Sequence, residues 1–189
     1  YVFENIYKAG AWGQDKDGNS TSGPGSHSSR IIEPYLNVVQ EVIAEKKPAT
    51  LVDLGCGDLV VGRNFFDLCE KYYACDISEY IIERNRIKYK DSTHVEFLSL
   101  DISKHDVPGG DIGFVRQVLQ HLANDNIHGF VRKMNEKKPF KYLLVTEHIS
   151  TDPSFKANLD KRSGANIRAA IKSGVVLHEA PFFIEHKNR

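Results

Sequence analysis

Two apolar periods alternate along this chain. Ile32, Tyr35, Leu36, Val39, Val42 and Ile43 recur at helical spacing and predict a helix from Ser29 to Lys47-Pro48. Ser28 or Ser29 is available as its cap, and Pro34 is expected in the first turn. Thr50-Leu51-Val52-Asp53-Leu54 then reads as a buried strand running into Gly55 and Gly57. Asp58 is placed to cap a second helix with Val61, Phe65, Leu68 and Cys69 as its stripe. Strands are expected at Tyr72 to Asp76, Val95 to Asp101, Asp111 to Gln117 and Lys141 to Glu147. The last of these is uninterrupted and apolar, the pattern of a central strand. Between them lie a helix capped by Ser78, with Ile77 and Ile82 as a hydrophobic staple, and a helix from about Asp125 carrying Ile127, Phe130, Val131 and Met134. Beyond Thr151 the pattern predicts a helix around Ile167 to Ile171 stopped by Gly174. Val175 to Leu177 and Phe182 to Ile184 read as late strands able to pair as an antiparallel edge.

Strands and helices that alternate in units of crossover length define an α/β fold with a doubly wound, mostly parallel sheet. The length of 189 residues suits one such domain, and 41% hydrophobic residues are enough for its core. Residues 1–29 stand apart. Phe3, Ile6, Tyr7 and Trp12 precede a glycine- and serine-rich loop from Gln14 to Ser29, the composition of a lid anchored at one end. The organisation expected is therefore a covering segment, 1–29, ahead of a ligand-binding domain, 30–189. The start at Tyr1 and the stop at Arg189 suggest a piece of a longer protein.

Lysine plus arginine and aspartate plus glutamate both number 25, so no global field favours nucleic acid. No apolar run is long enough to span a bilayer, and Cys56, Cys69 and Cys75 have no metal-ligand spacing. They read as small buried hydrophobes, which with the absence of a signal-peptide pattern indicates a cytosolic protein.

The chemistry is expected at the carboxyl ends of the strands, where ligands bind in such sheets. Asp53, Gly55, Cys56, Gly57, Asp76, Asp101 and Gln117 all fall there. Gly55-Cys56-Gly57 could open a dinucleotide fingerprint, but the third glycine position is Val60, which argues against nicotinamide or flavin. Asp53 offers a partner for a cationic group and would repel a pyrophosphate. Asp76, roughly twenty residues past the glycines, is placed to accept from ribose hydroxyls. Asp101 can accept from an adenine amino group, with Ile77 and Ile102 as apolar walls for the ring.

In these residues the chain resembles the class I S-adenosylmethionine-dependent methyltransferases: Val52-Asp53-Leu54-Gly55-Cys56-Gly57 as the glycine motif, Asp76 as the ribose acid, Leu100-Asp101-Ile102 on the adenine side, and Val118-Leu119-Gln120-His121-Leu122 after the fourth strand. The resemblance covers about residues 30–150 and implies a seven-stranded-type sheet, S-adenosylmethionine as cofactor and S-adenosylhomocysteine as product. A narrower resemblance lies in Phe3-Glu4-Asn5-Ile6-Tyr7, Trp12-Gly13 and Ser22-Gly23-Pro24-Gly25-Ser26, which look like the opening of methyltransferases found with polysaccharide-building glycosyltransferases. It implies that Trp12, Ser22, Gly23 and Gly25 lie beside the cofactor, that the acceptor is a sugar or glycan, and that a glycosyltransferase domain can be covalently linked. In that group an acid often follows the arginine of the fourth strand; this chain has Arg116-Gln117.

Transfer to a hydroxyl calls for a base. His121, in the loop entering the crevice, is the first candidate, and Glu147 and His148 at the end of strand five are the second. With Asp152 these last two could instead hold a divalent cation that orients a sugar diol, although no fixed metal motif is present. The reading is a sugar O-methyltransferase. The alternatives are transfer to another small-molecule hydroxyl, a nicotinamide-dependent oxidoreductase and a non-catalytic cofactor-binding module of a glycan-assembly protein.

Overall fold

The computed structural model describes residues 2–185; Tyr1 and residues 186–189, the outer ends of the two expected units, lie outside the described residues. The sheet has five parallel strands in the order β3-β2-β1-β4-β5: β1 (Thr50–Leu54), β2 (Lys71–Asp76), β3 (Val95–Ser99), β4 (Gly110–Arg116) and β5 (Phe140–Thr146). The chain runs outward from β1 to β3 and then crosses back to place β4 on the other side of β1. Strand order thus reverses between β1 and β4, and a crevice opens there at the carboxyl ends.

Layers cover both faces, as the doubly wound reading requires. Helix α1 (Val2–Lys8), the single turn α2 (Pro24–His27) and the long α3 (Ser29–Lys46) precede β1; α4 (Glu79–Lys88) joins β2 to β3, and α5 (Asn124–Lys137) joins β4 to β5. Leu51, Tyr72, Ala74, Ile112 and Phe114 pack with Val39 and Ile43 of α3 on one face. Val52, Leu54, Cys75 and Val115 pack with Ile127, Phe130, Val131 and Met134 of α5 on the other. Side chains alternate along a strand, so Asp53, Asp76 and Arg116 share the α3 face with the first set.

Several expectations are corrected. β5 is the edge of the described sheet, not a central strand. Its apolar run reflects layers above and below it, and Tyr142 and Val145 stay 36% and 37% exposed. The late strands do not form among the described residues. Val175, Val176, Leu177 and Phe182 are buried, but Asn158 supplies what a neighbouring strand would have given: its Nδ2 donates to the Val176 carbonyl (2.9 Å) and its Oδ1 accepts from the Val176 N–H (2.8 Å). The expected helices after Asp58 and near Ile167 shorten to 3₁₀ turns at Gly62–Leu68 and Arg168–Ile171. Pro34 sits inside α3, beyond the first turn, and Ser28 caps it without a side-chain bond.

The α4 staple is replaced by a longer-range device. Ile77 is 44% exposed towards the crevice. The start of α4 is held by Glu4 of α1, whose Oε2 accepts from Ser78 Oγ (2.8 Å) and Tyr80 N–H (3.2 Å). A carboxylate there meets orphan donors and the positive end of the helix dipole.

Candidate active site

One cavity of about 430 Å³ occupies the switch point. Its floor is the turn after β1. Gly55 has φ +86° and a Cβ there would lie 2.3 Å from Val118 Cγ2; Gly57 has φ +55° and a Cβ there would lie 2.2 Å from Ser22 Oγ. Both positions therefore demand glycine. Asp76 shapes the same turn: it accepts from Gly57 N–H through Oδ2 and from Ser78 N–H through Oδ1, both at 3.0 Å. Asn85 of α4 adds a bond from Nδ2 to the Gly57 carbonyl at 2.7 Å.

The N-terminal segment packs over this floor. Ser22 and Asp58 bond reciprocally, Ser22 N–H to Asp58 Oδ2 and Asp58 N–H to Ser22 Oγ, both at 2.9 Å. His27 Nε2 lies 2.6 Å from the same Asp58 Oδ2. Arg116 donates to the Gly25 carbonyl (2.7 Å) and Ser26 Oγ (3.3 Å) while lying over the Tyr35 ring. It is a latch for the serine-glycine loop. Gln117 beside it adopts φ +54°, an uncommon backbone for a non-glycine residue, and its Oε1 sits 2.6 Å from where a Cβ on Gly25 would be.

Trp12, Ser22, Gly23, Gly25, Asp53, Gly55, Cys56, Gly57, Asp76, Ile77, Asp101, Ile102, Gln117, His121 and His148 all line this cavity. Asp53 accepts from Tyr72 Oη at 2.9 Å, and a Cβ on Gly62 would come within 2.6 Å of both atoms. Asp101 Oδ1 is engaged by Ser103 N–H (2.9 Å) and Oγ (2.6 Å), with Lys104 3.4 Å from Oδ2. Trp12 stands 5.0 Å from the His121 ring and 5.2 Å from Tyr7, centroid to centroid, so it bridges the glycine-turn side of the cavity to the histidine side.

His121 is held in place by a bond from Nδ1–H to the Gly164 carbonyl (3.2 Å). Burial lowers its pKa to about 4. It is therefore a neutral imidazole near pH 7, with Nε2 as the accepting nitrogen.

Glu147 is the expected residue that the structure moves out of the site. It is not in the cavity wall; its Oε1 and Oε2 accept from the N–H groups of Leu119 (2.8 Å) and Gln120 (3.1 Å). The cation alternative built on Glu147, His148 and Asp152 goes with it. Asp152 is exposed and bonded to Ser154, and no group of three potential ligands occurs among the described residues.

Tyr72, Arg168 and Gly62 support the site without having been singled out as site residues in the sequence, and each acts through a contact distant in the chain.

Burial raises the pKa of Asp53 to about 6, against the Tyr72 bond and with nearby Asp76 adding to the rise. Burial raises Asp76 to about 6 as well, opposed by its backbone bonds. A raised folded pKa means that the native state keeps a proton that the unfolded chain releases near pH 4, so each group lowers stability as pH rises from about 4 through about 6. Asp53→Asn is accordingly expected to be more stable than the wild type by about 1–2 kcal/mol at pH 8 without ligand, a gain that vanishes near pH 4. Chemical denaturation at several pH values tests this; equal stability at pH 8 would refute it. His121 works in the opposite sense below about pH 6.5, which is why the difference between the two proteins is the informative quantity.

Residues 52–137 match the family model described as a methyltransferase domain. Among solved structures the chain is similar to the methyltransferase domain of bacterial CtHen1 (TM-score 0.57, 18% identity, 64% of this chain and 67% of that one). It is also similar to the N-methyltransferase NodS from Bradyrhizobium japonicum in complex with S-adenosylhomocysteine (TM-score 0.53, 16% identity, 68% and 67%). A third is an S-adenosylmethionine-dependent methyltransferase from Clostridium acetobutylicum (TM-score 0.52, 14% identity, 63% and 51%). No curated protein matches by sequence. The chain spans about two thirds of the length of the first two structures. The match over residues 52–137 is to a methyltransferase domain, and the fold is the one these methyltransferase structures share. Among the described residues no helix is long and apolar enough to cross a membrane.

Proposed function

We propose that this chain methylates a hydroxyl of a sugar or glycan, with His121 as the base. The observation that carries the reading is an imidazole in the cavity wall, bonded through Nδ1 to the Gly164 carbonyl and tilted against the Trp12 ring at 5.0 Å. Bound S-adenosylmethionine supplies an electrophilic methyl group on a sulfonium, and the chain's residues orient and deprotonate the acceptor.

In this reading Asp53 attracts the cofactor's ammonium, Asp76 takes the ribose hydroxyls through its remaining lone pairs, and Asp101, Ile77 and Ile102 receive the adenine. The backbone around Gly55, Cys56 and Gly57 lies along the ligand, with Ser22, Gly23, Gly25 and Gln117 closing above it. Residues 2–29 thus act as a cover on the domain that follows. Phe3, Trp12 and His121 form an aromatic face suited to the C–H face of a sugar ring. The acceptor oxygen would form its bond to the methyl carbon as the carbon–sulfur bond breaks with its electron pair left on sulfur, and the hydroxyl proton would pass to His121 Nε2. A base with a pKa of about 4 is weak, so proton transfer accompanies methyl transfer and does not precede it. A glycosyltransferase domain elsewhere in a longer protein would supply or extend such an acceptor.

The same low basicity favours a second reading, transfer to a neutral amine, which needs no strong base; NodS, whose fold this chain shares, is an N-methyltransferase. Incubation with labelled S-adenosylmethionine and a panel of sugars, glycans and amino sugars, with and without divalent metal, separates these readings. Label on oxygen of a sugar is expected, with a turnover loss of about 100-fold in His121→Ala and unchanged affinity for S-adenosylhomocysteine. Label only on nitrogen, protein or nucleic acid would end the sugar-hydroxyl reading.

A further inference from the structure

We propose that Glu147 is a positioning residue which holds the His121 turn in register through that turn's backbone. This rests on the role given to His121 above. Glu147 follows β5, whereas His121 ends a 3₁₀ turn, Leu119–His121, that leaves β4. The carboxylate grips the first two N–H groups of the turn, one on each oxygen, at 2.8 and 3.1 Å. These are the donors that a 3₁₀ turn cannot satisfy internally. The far side of the turn is fixed by Gly164, which donates its N–H to the His121 carbonyl at 2.9 Å and accepts from the ring at 3.2 Å. His121 is thus suspended between the carboxylate that follows β5 and a carbonyl of the C-terminal segment. If Glu147 is removed, the ring keeps its carbonyl partner and loses the support that sets its distance from Trp12.

The support is sensitive to pH. Burial pushes the Glu147 carboxyl up to about 7, opposed by the N–H groups of Leu119, Gln120 and Val118 and by Arg168. Arg168 from the C-terminal turn and Arg116 from β4 are the charged groups that face it, and His148 follows it in the chain. A proton added to Glu147 removes the charge and makes one oxygen a hydroxyl, a weaker acceptor for the N–H it holds. The turn is therefore expected to loosen as pH falls through about 7. His121 gains its own proton only near pH 4, so the two events are well separated.

Trp12 is the only tryptophan in the chain and lies 5.0 Å from His121, so its fluorescence reports the ring's position. A titration from about pH 6 to 8 is expected to show a fluorescence step in the wild type and none in Glu147→Gln. Hydrogen exchange at the Leu119 and Gln120 amides is expected to be about 10-fold faster in the variant, the equivalent of one lost hydrogen bond. A persistent step together with unchanged exchange in Glu147→Gln would overturn the proposal. Should that variant fail to fold, exchange at the same two amides in the wild type, corrected for intrinsic rates, must lose protection below about pH 7. Constant protection there overturns it equally. His121→Ala separates the two claims: full methyl transfer by that variant removes His121 as base, while the Glu147-dependent exchange remains as a separate result.

Discussion

Asp76→Ala is expected to bind S-adenosylhomocysteine about a thousandfold more weakly than the wild type. Each carboxylate oxygen already accepts one backbone N–H, from Gly57 and from Ser78. The remaining lone pairs are those that the proposed reading offers to the ribose. Truncation therefore removes the proposed ligand contacts and leaves two donors unmet at the turn proposed to lie against the cofactor. A hydrogen bond to a charged group contributes about 1.5–3 kcal/mol, and two lost ribose contacts with a disordered turn amount to roughly 4 kcal/mol. Asp76→Asn separates the parts: one oxygen still accepts, the amide cannot, and an intermediate loss is expected. Titration calorimetry with S-adenosylhomocysteine reads both. Affinity within threefold of the wild type in Asp76→Ala would mean that the cofactor lies elsewhere in the crevice.

The place of Asp76 in the cavity wall is legible in the sequence because it depends on local pattern. The acid ends a short apolar strand, a fixed distance past the glycines, and the strand's period dictates its face. The same holds for Asp53, Gly55, Gly57 and Asp101, and for the β1-to-β4 switch point that gathers them. Failures begin where hydrophobicity has two causes. Leu143 and Leu144 are apolar because layers cover them, so the same run that marks a central strand also fits the edge strand β5. Val175 to Leu177 are buried like a strand, yet one asparagine side chain takes the place of the neighbour's ladder.

In the site the same division separates first contacts from supports. His121 and His148 reach the cavity as expected, whereas Glu147, an acid at a strand end like Asp53 and Asp76, turns away from it. Alternation carried on from β5 puts it on the α5 face with Leu143, opposite to Asp53 and Asp76, and there a 3₁₀ turn from the preceding strand presents two free N–H groups to it. Nothing in the residues around Glu147 announces that turn. The latch of Arg116 on Gly25 and Ser26 likewise joins residues some ninety positions apart.

Arg168 is the extreme case of such a support, and Arg168→Ala is expected to destabilise the protein by about 3–5 kcal/mol. The side chain is fully buried. Its guanidinium donates to the carbonyls of Leu122 (2.7 Å) and Leu159 and to Asn124 Oδ1 (2.8 Å), joining the C-terminal segment to the loop after His121 and the start of α5. Alanine would leave three acceptors unmet, the buried Leu122 carbonyl among them, and a cavity where the guanidinium lay. Lysine should recover little, because one ammonium on a flexible stem cannot span acceptors that a planar fork reaches together. Urea denaturation monitored by circular dichroism measures the loss; a change below about 1 kcal/mol would show that solvent replaces the clamp at no cost. Asp76 has no contact with Arg168, so the folded fraction of the variant should keep its affinity for S-adenosylhomocysteine. The histidine side should not be spared: without the guanidinium nearby, the Glu147 carboxyl titrates still higher, and the His121 turn loosens at a pH where the wild type holds it.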